Sequence, residues 1–189
     1  MKMLVVSIND FVNEKFNIIL NWALNNNITN INILSNGFNK DKLLKLKDEV
    51  PSTSIDIKLY LDYKDSYKLS ENDMKNCLLN RNDLFIERNI INQYEFYNKR
   101  INIINNLYNN IDFLSMIEDN NNYNIFIYKD KKYSFDFQLN LSMKSIFIGI
   151  PYLNDYDDFI VLDINNNRID GYHYNIKSDN IYEEVLFKI

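Results

Sequence analysis

The sequence predicts an α/β fold, α+β overall: an N-terminal β-α-β-α-β unit, then central helices, then a C-terminal antiparallel β-meander. Three observations predict it. From Lys2 to Asp62 short apolar runs alternate with amphipathic segments. From Ile90 to Tyr108 apolar residues recur at alternating spacings of four and three. From Ile111 onward the hydrophobic period falls to two. The expected divisions are a β-α-β-α-β unit at 1–63, a helical segment at 64–110 and a β-rich part at 111–189, within one compact domain.

Met3-Leu4-Val5-Val6 is a continuous apolar run, as expected of a strand covered on both faces. Asn9 or Asp10 then caps a helix in which Val12, Phe16, Ile19, Leu20 and Ala23 form one stripe. Asn25-Asn26-Asn27 stops it, because asparagine competes for backbone hydrogen bonds and tolerates the left-handed conformation. Ile31 to Leu34 is the second strand. Ser35-Asn36-Gly37 turns the chain into a helix carrying Leu43, Leu44, Leu46 and Val50, which Pro51 ends. In the third strand Ile55, Ile57, Leu59 and Leu61 alternate with polar partners, which places it near a sheet edge.

Ser70 opens a short helix through Met74, Cys77 and Leu78. Ile90, Tyr94, Tyr97, Ile101, Ile104 and Tyr108 then make a heptad seam that packs on the protein's own sheet or, alternatively, forms a homodimer through residues 90–108. Tyr123–Tyr128 and the alternating Tyr133–Leu141 form a hairpin across Lys129-Asp130-Lys131-Lys132. Ser145–Ile150 is a buried strand. Phe159–Ile164 and Ile169–Ile176 pair across Asn165-Asn166-Asn167, and Tyr182–Ile189 is a strand or a short helix.

Composition excludes several functions. Asparagine is heavily over-used, Ala23 is the only alanine, and Ile, Lys, Tyr and Phe are plentiful, as expected of an AT-rich genome. The net charge of −5, with basic residues dispersed among acids, argues against nucleic acid as the partner. Cys77 stands alone, so an intramolecular disulfide and a cysteine zinc cluster are excluded. His173 is the only histidine, which excludes a histidine zinc site and a two-histidine phosphodiesterase. No apolar run approaches the length of a bilayer span, and a soluble, cytoplasmic protein is expected.

The motifs are sparse. Asp163, Asn165 and Asn167 have the spacing that opens a calcium loop, but Arg168 and Tyr174 stand where its glycine and glutamate belong, so a hairpin turn is the better reading. No nucleophile elbow accompanies His173, and no Walker or dinucleotide fingerprint surrounds Gly37. The rhythm from Phe16 to Asp62 is similar to half of a phospholipase-D-type nuclease, whose histidine–lysine signature is missing: after His173 the first lysine is Lys177. The strands from Ile146 to Tyr174 look like the C-terminal strands of bacterial toxin-immunity proteins. No motif covers enough chain to carry site residues over from either family.

Two functions follow. The first is a non-catalytic binding protein, of inhibitor or immunity type, that occludes a basic protein partner. Its binding site is the acidic loop Asp155, Asp157 and Asp158 with the aromatic anchors Tyr152 and Tyr156. The ordinary reading of such a run is a solvated loop. The alternative is a nucleotide or small-ligand sensor, or a hydrolase or nuclease, using the strand ends at Asn9, Asp10, Ser35, Asn36 and Gly37. No cofactor, catalytic residue or metal ligand is assigned.

Overall fold

The structure is a computed structural model that describes residues 1–8, 14–35, 56–60, 84–87, 91–104, 122–129, 134–153, 157–165, 167–177 and 180–189. Strands dominate them. β1 (Lys2–Ile8), α1 (Glu14–Asn25), β2 (Asn30–Ser35), β3 (Asp56–Tyr60) and β4 (Leu84–Glu87) are followed by β5 (Ile91–Phe96) and β6 (Lys99–Ile104). Then come β7 (Tyr123–Lys129), β8 (Asp136–Asn140), β9 (Ser145–Ile150), β10 (Asp158–Asn165), β11 (Arg168–Lys177) and β12 (Asn180–Lys188). The helices expected at 38–50 and 70–78, the caps at Asn9 and Asp10 and the turn at 130–132 lie outside the described residues.

A seven-stranded sheet has the order β12-β11-β10-β1-β2-β3-β4, and a five-stranded sheet the order β5-β6-β7-β9-β8. β1 to β4 run parallel, while β10 to β12 run antiparallel beside them. In the second sheet β6, β7 and β9 are parallel, and β5 and β8 are antiparallel edges.

The pleat explains the two cores. Along β1, Leu4, Val6 and Ile8 face one way and join Phe16, Ile19, Leu20 and Ala23 of α1, all buried. Met3 and Val5 face the other way and meet Ile101, Ile125, Ile127, Ile146 and Ile148 of the second sheet. A strand covered by a helix on one face and a sheet on the other must be apolar at every position, which is why residues 3–6 show no alternation. The helix ends as asparagine chemistry dictates. Asn27 takes φ 56°, Ile28 N–H donates to the Ala23 carbonyl at 3.0 Å, and the Asn26 side chain donates to the Trp22 carbonyl at 2.8 Å.

The molecule departs from the predicted fold class. α1 is the one helix among the described residues, and the structure is two mixed, mostly β sheets instead of an α/β unit with central helices. The central seam is a hairpin: β5 and β6 pair antiparallel from Ile91↔Ile104 to Phe96↔Lys99. Ile101 and Ile104 are fully buried within the chain, while Tyr97 sits at the turn with φ 53° and is 77% exposed, off any seam. The reason is physical. Residues 100–103 also alternate, isoleucine is β-branched and suits a pleated surface, and a second sheet supplies the apolar face they need. The C-terminal meander is corrected as well: β9 inserts parallel to β7 between β7 and β8, so the expected hairpin partners do not touch as a pair. No helix among the described residues is long and apolar enough to cross a membrane.

Candidate functional site at the carboxyl ends of the strands

The core between the sheets is dry along most of its length and becomes polar at one end. On each strand the inward positions are apolar until the last. Met3 and Val5 give way to Ser7, Ile125 and Ile127 to Lys129, Ile148 and Ile150 to Tyr152, and Leu162 and Ile160 to Asp158. All four polar residues are buried: Ser7 0%, Lys129 2%, Tyr152 9% and Asp158 6% exposed. Four strands of two sheets thus end in polar groups held out of water, a costly arrangement unless each is hydrogen-bonded.

Lys129 is the centre. Its ammonium donates to the backbone carbonyl of Ser35, the last residue of β2, at 3.1 Å. It also lies 5.9 Å from the centroid of the Tyr152 ring, within cation–π range. Tyr152 bridges Ser7 in parallel, and Leu153 N–H donates to the Ser7 carbonyl at 2.8 Å, so the chain leaving β9 is fixed against β1. The Ser7 hydroxyl has no hydrogen-bond partner among the described residues. A buried ammonium and a buried, unsatisfied hydroxyl at one end of the core make a site for an anion.

Asp158 belongs to a second polar cluster. Its Oδ1 accepts from Asn175 Nδ2 at 2.7 Å and pairs with His173 Nε2 at 2.7 Å. Phe135 stacks on the His173 ring, centroid to centroid 3.9 Å, and Glu184 stands 3.6 Å from Nδ1. Held through Nε2 and stacked on one face, His173 is a packed residue that ties β11 to β10.

The residues expected from the sequence divide accordingly. Ser35 is at the site through its carbonyl, and Tyr152 forms its wall. Asp157 pairs with Lys15 of α1, and Asp158 is buried, so these two aspartates are not a free acidic rim. Asn9, Asp10, Asn36, Gly37, Asp155 and Tyr156 lie outside the described residues. Sequence reasoning places Ser7 at a strand end but misses Lys129. The signal was parity: Lys129 is in phase with Ile125 and Ile127, although it also opens a charged run that resembles a turn.

No protein-family model matches the sequence, and no curated protein matches it. Solved structures do. Vps29 of Chaetomium thermophilum is similar with a TM-score of 0.63 and 13% identity, over 100% of this chain and 97% of that one. An archaeal phosphodiesterase is similar with a TM-score of 0.57 and 14% identity, over 98% and 100% of the two chains. Vps29 of Entamoeba histolytica, in complex with Zn²⁺, is similar with a TM-score of 0.57 and 10% identity, over 98% of each chain. These likenesses correct the inhibitor or immunity-type reading, which rested on net charge and tyrosine content and on no architecture; the hydrolase alternative at the strand ends fits the fold better. The chain has the fold shared by Vps29 and this phosphodiesterase.

Proposed function

We propose that this chain is a hydrolase that acts on a phosphate ester bound at the carboxyl ends of its strands. One observation carries the reading: the buried Lys129 ammonium where strands of both sheets end. A fixed cation held away from water attracts phosphate oxygens strongly and stabilises the charge they gather during transfer. Ligands of open sheets containing parallel strands sit at those ends. The fold supports the same chemistry, since an archaeal phosphodiesterase shares it.

The chain's own residues have distinct parts. Lys129 neutralises the phosphoryl group, the Ser7 hydroxyl supplies a hydrogen bond to it, and the Tyr152 ring excludes water from one side. A zinc ion, as in the Entamoeba Vps29 complex, does not fit the described residues. They contain no group of three or more His, Cys, Asp or Glu side chains that could hold a metal, and an ammonium repels a cation.

The test is hydrolysis of bis-para-nitrophenyl phosphate by the purified chain, with phosphate binding followed by phosphorus NMR. Turnover that disappears in Lys129→Met supports the proposal. Binding without turnover reduces the protein to a sensor of the same ligand, and neither turnover nor binding overturns the reading.

A protein partner is a second reading. Leu139, Leu141 and Met143, on edge strand β8 and the turn after it, are 48%, 73% and 43% exposed. An edge with no further strand paired to it among the described residues, beside apolar side chains, suits strand addition by a partner. Loss of a captured partner on Leu141→Lys, with turnover intact, would separate this surface from the strand-end site.

A further inference from the structure

β8 is an unguarded edge strand. Among the described residues it pairs with β9 alone, from Asp136↔Gly149 to Asn140↔Ser145. Its sequence, Asp-Phe-Gln-Leu-Asn, holds no lysine, arginine, glutamate or proline. Its one acid, Asp136, stands at the start of the strand and accepts from Tyr128 at 3.3 Å and from Gln138 at 3.1 Å. Edge strands that stay single carry charges, prolines or bulges that discourage a further strand. β12, an edge of the other sheet, has such devices: Glu183 and Glu184 stand at its middle, and its register with β11 shifts between Gly171 and Tyr172.

The pleat sets what this edge displays. Phe137 and Leu139 share one side of the strand, with Asp136, Gln138 and Asn140 on the other. Phe137 stacks on Phe187 at the margin of the core between the sheets, with centroids 6.3 Å apart. Leu139, further along the same row, is exposed, and Leu141 continues the spacing into solvent just past the strand. The row therefore starts against the core and runs out of it, beside an edge with no further strand among the described residues. Apolar side chains gathered along such an edge mark an interaction surface.

We propose that a second copy of the chain covers this edge, its β8 pairing antiparallel with the first about a two-fold axis at Gln138, so that the five-stranded sheets of the two copies become one. The proposal rests on the reading of β8 as a surface for strand addition and commits that surface to one occupant. Self-complementarity argues for it. A two-fold axis at Gln138 sets each residue opposite the one equally far along on the other side, as in any isologous contact. Phe137 then faces Leu139 of the other copy, so the exposed leucine gains a ring beside it, and cross-strand pairs of this kind stabilise neighbouring strands. Asp136 faces Asn140 and Gln138 faces Gln138, so no two like charges meet. The same operation on β12 about its central residue sets Glu184 against Glu184, a repulsive pair. The strand-end site around Lys129 uses none of these β8 residues.

Gln138 is exposed and lies on the axis, so a charge placed there meets its own copy while the fold tolerates it. The experiment measures the mass of the full chain by sedimentation equilibrium across micromolar concentrations. The parent should dimerise. Gln138→Lys and Gln138→Glu should each melt with the parent and weaken the dimer about fivefold, the effect of like charges set directly opposite on paired strands. An equal mixture of the two variants should recover the parent's affinity, because an ammonium then faces a carboxylate. A monomeric parent overturns the second copy as occupant; loss of a captured partner in Leu141→Lys would then keep β8 as a surface for a different chain. A dimer that neither charge variant weakens lies elsewhere on the molecule and overturns the proposal. A mixture no tighter than either variant alone overturns the axis at Gln138.

Discussion

The Lys129 ammonium donates to the carbonyl of Ser35 at 3.1 Å, joining the end of β7 in one sheet to the end of β2 in the other. The bond crosses the core between residues 94 apart in sequence, and both are buried. It decides the first prediction. Lys129→Met removes the donor to the buried Ser35 carbonyl, which costs about 1–3 kcal/mol, so the variant should stay folded with a modestly lowered melting temperature. Lys129→Glu sets a carboxylate against that carbonyl and should cost several kcal/mol. Thermal melts of the two variants check the difference; equal melts would mean the side chain is not held in the core.

Ile101 lies in the core between the sheets with no exposure. Ile101→Asp should therefore fail to fold, since an unpaired buried carboxylate is expensive. Phe16→Ala, on the other side of the sheet, should cost about 2–5 kcal/mol by leaving a cavity under α1. Denaturant titration measures both. A folded Ile101→Asp of reduced mass in light scattering would return that residue to an interface between copies.

Gly171 faces Phe187 across the β11–β12 pair, where the register shifts. A Cβ at 171 would come under 3.0 Å from three ring carbons of Phe187, and that ring is 6% exposed and stacks on Phe137. Gly171→Ala should cost about 1–3 kcal/mol through overpacking. Phe187→Leu should relieve part of it, so the double variant loses less than the sum of the singles. Strict additivity would show that the two side chains do not compete for the space.

Asp158 accepts from Asn175 and pairs with His173, both at 2.7 Å. Asp158→Ala should lower stability by about 1–3 kcal/mol because it leaves two partly buried partners without their acceptor. Asp157→Ala, which removes a pair with the half-exposed Lys15, should cost well under 1 kcal/mol. Equal losses for the two would place Asp158 in solvent.

Tyr174 links pH to stability. Its phenol is raised above the usual value near 10, first by burial and then by its bond to Glu183. Above that pH the folded chain keeps a proton that the unfolded chain has released, so stability falls as pH rises through the unfolded value toward the folded one. Below pH 10 the contribution is fully present. The melting temperature should decline more steeply above about pH 10 in the parent than in Tyr174→Phe, which has no proton to lose. Parallel curves would rule out Tyr174 as the titrating group.

Local patterns determined a definite part of this molecule. The stripe Phe16, Ile19, Leu20, Ala23 marks the buried face of α1, and Asn25-Asn26-Asn27 marks its end, because both depend only on neighbours within a few turns. The runs at β1, β2 and β3 and the pairing of β10 with β11 across Asn165 are equally local. Tertiary structure decided the rest. Residues 90–108 carry a helical spacing and an alternating one together, and only the facing sheet selects the strands β5 and β6. The place of β9 between β7 and β8 depends on a parallel pairing with no local signature. Lys129 shows the limit most sharply. In sequence it opens a charged turn, while in space its stem continues the inward row of Ile125 and Ile127 and its ammonium meets a carbonyl from the other sheet. Whether a lysine at a strand end is solvated or buried depends on what lies across from it, and that partner is supplied by a residue remote in the chain.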